Sequence, residues 1–204
     1  MDLLPKLVRF ACPLVLFSIA LAQTREEQIA AALRDQQFGT ALSLLREALK
    51  DSPSNTQLWT MQGVAYEGQG NTSEALSSLR HALKLSPDSI PALEEAAQLE
   101  YNSSSPDGIP LLEHLLNLRP NDQTSHGMLA VLDYQKGDCA GATVHFERAA
   151  ALFESKLPAL HAYGVCLVKL KRFEKAEEVF QADRRKLCPR NPLGRHLSSK
   201  AQGG

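Results

Sequence analysis

Alanines at Ala41, Ala75, Ala142 and Ala176 recur with gaps of 34, 67 and 34 residues, and Pro53, Pro87 and Pro120 follow with gaps of 34 and 33. A period near 34 with a fixed small residue and a fixed terminal proline confines a chain to stacked helical hairpins. One such hairpin buries too little apolar surface to stand alone, so neighbours must stack and share a continuous core. Small residues mark where two helices cross closely. Each proline ends a second helix, because it has no amide hydrogen to continue the ladder.

The clearest unit runs from Thr56 to Ser89, with Trp59, Gly63, Ala65, Tyr66, Gly70, Asn71, Glu74, Ala75, Leu79, Ala82 and Pro87 in order. The same ruler places Leu160, Gly164, Phe173, Ala176 and Phe180 in a fifth unit, and Ala130, Gly137, Asp138, Ala142, Phe146 and Ala149 in a fourth. In the first unit Phe38, Ala41, Leu45, Ala48 and Pro53 fit the second helix, while Arg25 and Gln28 stand where the first helix should be apolar. The third keeps Leu93, Ala96 and Ala97, but its turn Asn102–Asp107 breaks the register. This pattern closely resembles the tetratricopeptide repeat (TPR). The resemblance implies an all-α fold, a right-handed solenoid of about five helix–turn–helix units near 23–55, 56–89, 90–122, 123–156 and 157–188.

Helices are expected near 24–35, 38–50, 56–68, 72–86, 89–101, 106–118, 122–136, 139–153, 156–170 and 173–187. Local signals agree. Thr24 with Glu27 reads as a capping box, and Ser105 before Pro106 has the order of an N-cap and a first-turn proline.

Residues 1–22 lie outside the array. Lys6 and Arg9 precede an apolar run, Phe10 to Ala22, that closes on Ala20-Leu21-Ala22. A short basic start, a short apolar run and an A-x-A site describe a secretory signal peptide, so cleavage is expected near Ala22. The mature chain is then exported, periplasmic or extracellular, and the layout reads as bacterial. Residues 189–204 read as a flexible tail. Three cysteines remain, Cys139, Cys166 and Cys188. Small buried residues in helix packing are the first reading of them, and a disulfide pairing is not legible.

The whole chain carries a formal charge of −1, yet Lys169 to Gly204 holds ten Lys/Arg against four Asp/Glu. With the signal segment at +1, residues 23–168 carry −8. The basic residues Lys171, Arg172, Arg184, Arg185, Lys186 and Arg190 either cap the last hairpin with a solvated face or offer a peripheral membrane contact or an acidic docking surface. Nucleic acid is not expected, since no aromatics interleave the basic stretch.

No constellation announces catalysis. The six histidines are scattered along the chain, there is no H-E-x-x-H or G-x-S-x-G, and Gly63, Gly68 and Gly70 belong to helix crossings and a turn. Glu94 and Glu95 are adjacent and do not share a helical face. No enzyme activity, metal, cofactor or small-molecule substrate is expected. The TPR resemblance instead implies a concave groove, lined by the first helices, that receives a peptide or helix of another protein. Carried onto this chain, its groove positions are Thr60, Val64 and Glu67; Glu94, Gln98 and Tyr101; Gly127, Val131 and Tyr134; and His161, Val165, Val168 and Lys169. Tyr101 and Tyr134 either face the groove as anchors or fold into the core. Thr60, Val64 and Gly68 stand where the carboxylate clamp of chaperone-tail binders would need Lys and Asn, so that clamp is absent. Two functions fit: an exported binding scaffold in cell-envelope or secretion assembly, or an accessory subunit held permanently in an enzyme or membrane complex.

Overall fold

The computed structural model describes residues 24–154 and 156–187, the last six of them by backbone alone. The expected signal peptide, the tail from 189, Cys188 and Arg190 lie outside the described residues. Eleven helices and no strand occur among the described residues. They pair as hairpins: α1 (Arg25–Arg34) with α2 (Phe38–Asp51), α3 (Thr56–Gly68) with α4 (Thr72–Leu85), and α5 (Ile90–Asn102) with α6 (Gly108–Leu118). α7 (Gln123–Lys136) pairs with α8 (Cys139–Arg148), a short α9 (Ala150–Phe153) follows, and α10 (Leu157–Lys169) pairs with α11 (Phe173–Leu187). Each second helix packs on the next unit's first, α2 on α3, α4 on α5, α6 on α7 and α8 on α10, so the core runs through the array as an α-solenoid.

The hairpins close at points where a side chain has no room. A Cβ built on Gly63 would lie 2.6 Å from Leu79 Cγ, and one on Gly164 would lie 2.5 Å from Phe180 Cε1. Both pairs are 16 residues apart. Ala130 and Phe146 occupy the same register in the fourth unit and are fully buried. Ala41, Ala75, Ala142 and Ala176 sit in the core at 2% exposure or less. α2, α4 and α6 each stop two residues before Pro53, Pro87 and Pro120.

The turns inside the hairpins are more regular than the residues that form them. Gln36, Gly70, Ser104, Gly137 and Lys171 all have positive φ, between 52° and 88°, at gaps of 34, 34, 33 and 34. After each, an amide reaches back five residues: Gln37 to Ala32, Asn71 to Tyr66, Ser105 to Glu100, Asp138 to Asp133 and Arg172 to Leu167, at 2.8–2.9 Å. This is the Schellman closure, which satisfies a carbonyl left over at the helix end. Only two of the five positions hold the glycine that the left-handed region favours. The third unit's turn therefore keeps the register through Ser104, and its missing residue falls after that turn.

Among the described residues, side-chain caps form at four helix starts. Thr24 Oγ1 accepts from the Glu27 amide at 3.3 Å and Glu27 returns a bond to the Thr24 amide at 3.0 Å. Asn55, Asp122 and Asp138 cap α3, α7 and α8 through their side-chain oxygens. Two expected helices differ. The helix expected from 106 begins at Gly108, because Ser105 Oγ accepts from the Asp107 amide at 3.2 Å and makes a local turn rather than a cap. The helix expected over 139–153 breaks at Ala149, with φ −101° and ψ 20°. The break rolls Leu152 and Phe153 back over Gly127, which is small enough to admit them. Phe153 then packs edge-on against Phe146, with ring centroids 5.1 Å apart.

Two kinds of fastening tie units together. Trp59 Nε1 donates to the Pro53 carbonyl at 2.7 Å, and His126 Nε2 donates to the Pro120 carbonyl at 3.1 Å. In both, a ring six residues downstream holds the proline turn to the next helix. The second fastening corrects the sequence reading of the cysteines as ordinary packing residues: Cys139, at the start of α8, is disulfide-bonded to Cys166 in α10, both buried. The bridge spans 27 residues, a loop length for which about 3–4 kcal/mol of stabilisation is typical. In the first unit Phe38, in the register of Cys139, instead lays its ring against Gly68 of the next unit. Phe173 has the same register in the last described unit and is 57% exposed.

The turn geometry makes a stability prediction. Gly137→Ala meets no neighbouring atom but must hold a left-handed conformation, so it is expected to cost about 1 kcal/mol. Ser104→Gly is expected to gain about 0.5–1 kcal/mol. Urea denaturation followed by circular dichroism reads both.

Candidate functional site

α3 meets α5 directly and α7 meets α10, while α5 and α7 border a shared cleft lined by Gln98 and Met128; these first helices make up the wall. In that wall opens a cavity of about 650 Å³, lined by Tyr101 from α5, Val131, Tyr134 and Gln135 from α7, Phe153, and Lys156, Leu157, Pro158, Ala159 and Ala162 at the start of α10. Both tyrosines are half-buried. Tyr101 packs on the Leu93, Leu112 and Leu129 cluster, and Tyr134 on the Ala130, Cys139 and Cys166 cluster. Each ring thus has one face in the core and part of its surface in the cavity. The disulfide sits behind Tyr134 and holds α8 to α10. Phe153 reaches the site only because the chain breaks at Ala149, which an unbroken helix from 139 to 153 would not allow.

The other sequence-designated groove positions divide. Val64, Glu67, Gln98 and Val165 are half-buried. Thr60 is buried, and its hydroxyl donates to the Thr56 carbonyl at 2.9 Å. Glu94 is exposed and bonded to Arg119 at 2.7 Å, beside a smaller cavity of about 230 Å³ shared with Gln98. Gly127 lies buried under Leu152 and Phe153. His161 is exposed, with its ring 6.1 Å from that of Phe180, and Val168 and Lys169 are exposed at the end of α10. The structure therefore brings Tyr101, Val131 and Tyr134 to one cavity, with Thr60, His161 and Lys169 away from it. Of the basic residues, Lys171 forms the α10–α11 turn, and Arg172 pairs with Glu147 at 3.0 Å beside Lys175 at 2.6 Å. Arg184, Arg185 and Lys186 lie on α11 where only the backbone is described.

An acidic pair adjoins this wall. Burial pushes the Glu95 carboxyl up from its ordinary value, and the charge of Glu67 and a hydrogen bond with it push the same way, followed by the charge of Glu94. Glu67 and Glu95 are thus neighbours across two units. Neither has an ion-pair partner among the described residues. Sequence reasoning dismissed Glu95 because it neighbours Glu94. What it missed is that Glu95 meets Glu67 of the preceding unit. The period carried that signal: Glu67, Tyr101 and Tyr134 are spaced by 34 and 33, and Glu95, Met128 and Ala162 by 33 and 34. Glu67 and Glu95 thus meet at the seam that Tyr134 and Ala162 occupy two units on.

A second polar group lies on the fourth hairpin. His126 is buried, with Nδ1 2.8 Å from Nδ1 of His145. A carbonyl can only accept, so the proton of neutral His126 is on Nε2, facing Pro120. Its Nδ1 then accepts from His145, leaving His145 Nε2 turned to Asp133 at 3.8 Å. Burial and the neighbouring His126 pull the His145 imidazole down, while burial and Asp138 push the Asp133 carboxyl up. Both shifts favour neutral groups, as expected of a polar cluster closed off from water. No group of three or more His, Cys, Asp or Glu among the described residues is placed to hold a metal ion, and no helix among them is long and apolar enough to cross a membrane.

With this geometry in hand, the chain can be set beside known proteins. Residues 20–160 match the family described as the cytochrome c-type biogenesis protein H TPR domain. The fold is similar to that of a MamA fragment from Desulfovibrio magneticus RS-1, at 17% identity and a TM-score of 0.67, covering 82% of this chain and 95% of that one. It is equally similar to a point mutant of MamA, at 17% identity and a TM-score of 0.68, covering 79% and 95%. At this identity the likeness is one of fold. No curated protein matches the chain in sequence.

Glu95 makes the electrostatics testable. Its folded-state pKa lies above the unfolded one, so the stability it contributes is present below about pH 4.5, the ordinary glutamate value, and is lost as pH rises through the folded value. Glu95→Gln is therefore expected to melt above the parent at neutral pH and level with it under acid conditions. Thermal melts across the pH range check this.

Proposed function

The chain belongs to the family of the cytochrome c-type biogenesis protein H TPR domain, and from that premise we propose that it is a non-catalytic scaffold holding a segment of another protein in its concave groove. The observation that carries this reading is the cavity between Tyr101 and Tyr134. Its walls are largely apolar, its two hydroxyl-bearing rings are held from behind by the core, and it lies on the face that TPR arrays use for partners. A ring fixed in this way loses little entropy on binding, which is what makes aromatic anchors effective. Val131 and Val165 extend the apolar surface, and Glu67, Glu94 and Gln98 give the wall its polar positions. The family's description points to cytochrome c biogenesis as the setting.

Export is part of the same proposal. The disulfide between Cys139 and Cys166 supports it, since such bonds persist in oxidising compartments, and so does the basic-then-apolar start of the chain. Peptide mapping without reductant, on protein taken from the cell envelope, is expected to find Cys139 joined to Cys166 and the first residue at Gln23. Soluble cytosolic protein that retains Met1 and free thiols would overturn the compartment.

The groove is tested in cells with a photoreactive residue placed at Val131 and, as a control, at exposed Val144. The Val131 probe is expected to crosslink a partner that the Val144 probe does not. Tyr101→Ala with Tyr134→Ala should weaken that capture at least tenfold while helical content is unchanged. Undiminished capture by the folded double variant would move the site away from the cavity.

A further inference from the structure

We propose that the groove is made for a basic segment: an apolar side chain of the segment fills the Tyr101–Tyr134 cavity while a Lys or Arg to one side of it seats between Glu67 and Glu95. This rests on the groove reading above and adds the chemistry of the occupant. Glu67 and Glu95 face each other across the α3–α5 seam, the seam equivalent to that of Tyr134 and Ala162 at the cavity. They lie on the same wall, up the array from the cavity. Glu94 beside them is already held by Arg119, and no described Lys or Arg reaches Glu67 or Glu95. A half-buried pair of carboxyls with no cation near it is destabilising until an opposite charge arrives, so a guanidinium or ammonium group placed there gains two acceptors at once.

Charge elsewhere fixes the orientation. Lys156 lines the opposite side of the cavity, so a segment lying the other way would bring its cation against a like charge. Residues 23–168 together carry −8, which draws a basic segment toward this face at long range. Neighbouring helices pack about 8–10 Å apart. The acidic seam therefore lies roughly 10–20 Å from the cavity, a span of about three to six residues of extended chain.

The test uses fluorescent peptides of about twelve residues with one tryptophan anchor and a pair of Lys, Ser or Glu placed three to six residues to one side, titrated with the mature protein and read by anisotropy. The Lys peptides are expected to bind at least fivefold tighter than the Ser peptides, with Glu weakest. Glu67→Gln with Glu95→Gln should erase that preference and leave the Ser peptides unchanged. Equal binding of all three peptides, abolished by Tyr101→Ala with Tyr134→Ala, would overturn the charge assignment and keep the groove. If no peptide binds, or if binding ignores the tyrosines, the groove reading falls and this inference with it. A tenfold gain for every peptide on deleting residues 189–204 would give the groove to the chain's own basic tail. Loss of peptide binding with concentration-dependent dimerisation would give it to a second copy. Either outcome overturns the proposal.

Discussion

The close approach of the two helices within a hairpin governs this molecule. Where Gly63 faces Leu79 and Gly164 faces Phe180, one partner has no side chain and the other fills the space it leaves. Dispersion and burial both depend on that fit, because a gap of even a fraction of an ångström forfeits much of the attraction. The hairpin it makes presents an apolar face on each side, and only a neighbouring unit can cover it. Stacking is thus a consequence of the crossing, and the concave wall of first helices is a consequence of stacking.

That wall is not uniform along the array. At equivalent seams it carries Glu67 with Glu95, then Tyr101 with Met128, then Tyr134 with Ala162. The cavity opens at the last of these, and two irregularities coincide there. The chain breaks at Ala149 and turns Phe153 inward to line it, and a disulfide pins α8 to α10 behind Tyr134. Departures from the repeat thus accompany the cavity. A strictly periodic array would offer the same surface at each seam.

Polar groups held against their preference mark the same region of the protein. Glu95 is pushed toward its neutral form beside Glu67, and His145 and Asp133 are both driven to neutrality on the fourth hairpin. The two cases differ in what surrounds them. The His126–His145 pair has its protons directed by the Pro120 carbonyl and lies packed between elements, where it fastens one unit to the next as Trp59 does at Pro53. The Glu67–Glu95 pair lies half-exposed on the wall of first helices with no cation beside it among the described residues. The first arrangement is complete within the chain, whereas the second leaves its charge uncompensated there.

The period of alanines and prolines determined the fold class, the number of hairpins and nearly all the helix ends, since each of those residues acts through its own backbone or its own small size. Local rules placed the Thr24 capping box and the stops before Pro53, Pro87 and Pro120. Tyr101 and Tyr134 could be put on the first helices by counting, but counting could not say which surfaces their rings would meet. Tertiary structure decided the rest. Gln36, Ser104 and Lys171 adopt left-handed turns that their side chains disfavour, because the packed helices on either side leave the chain only one way round. Cys139 and Cys166 became a pair because adjacent units bring them together across 27 residues. Glu95 acquired its partner from the previous unit, and Phe153 its inward turn from the space above Gly127. Each of these depends on distances between units, which residue order specifies only through the folded whole.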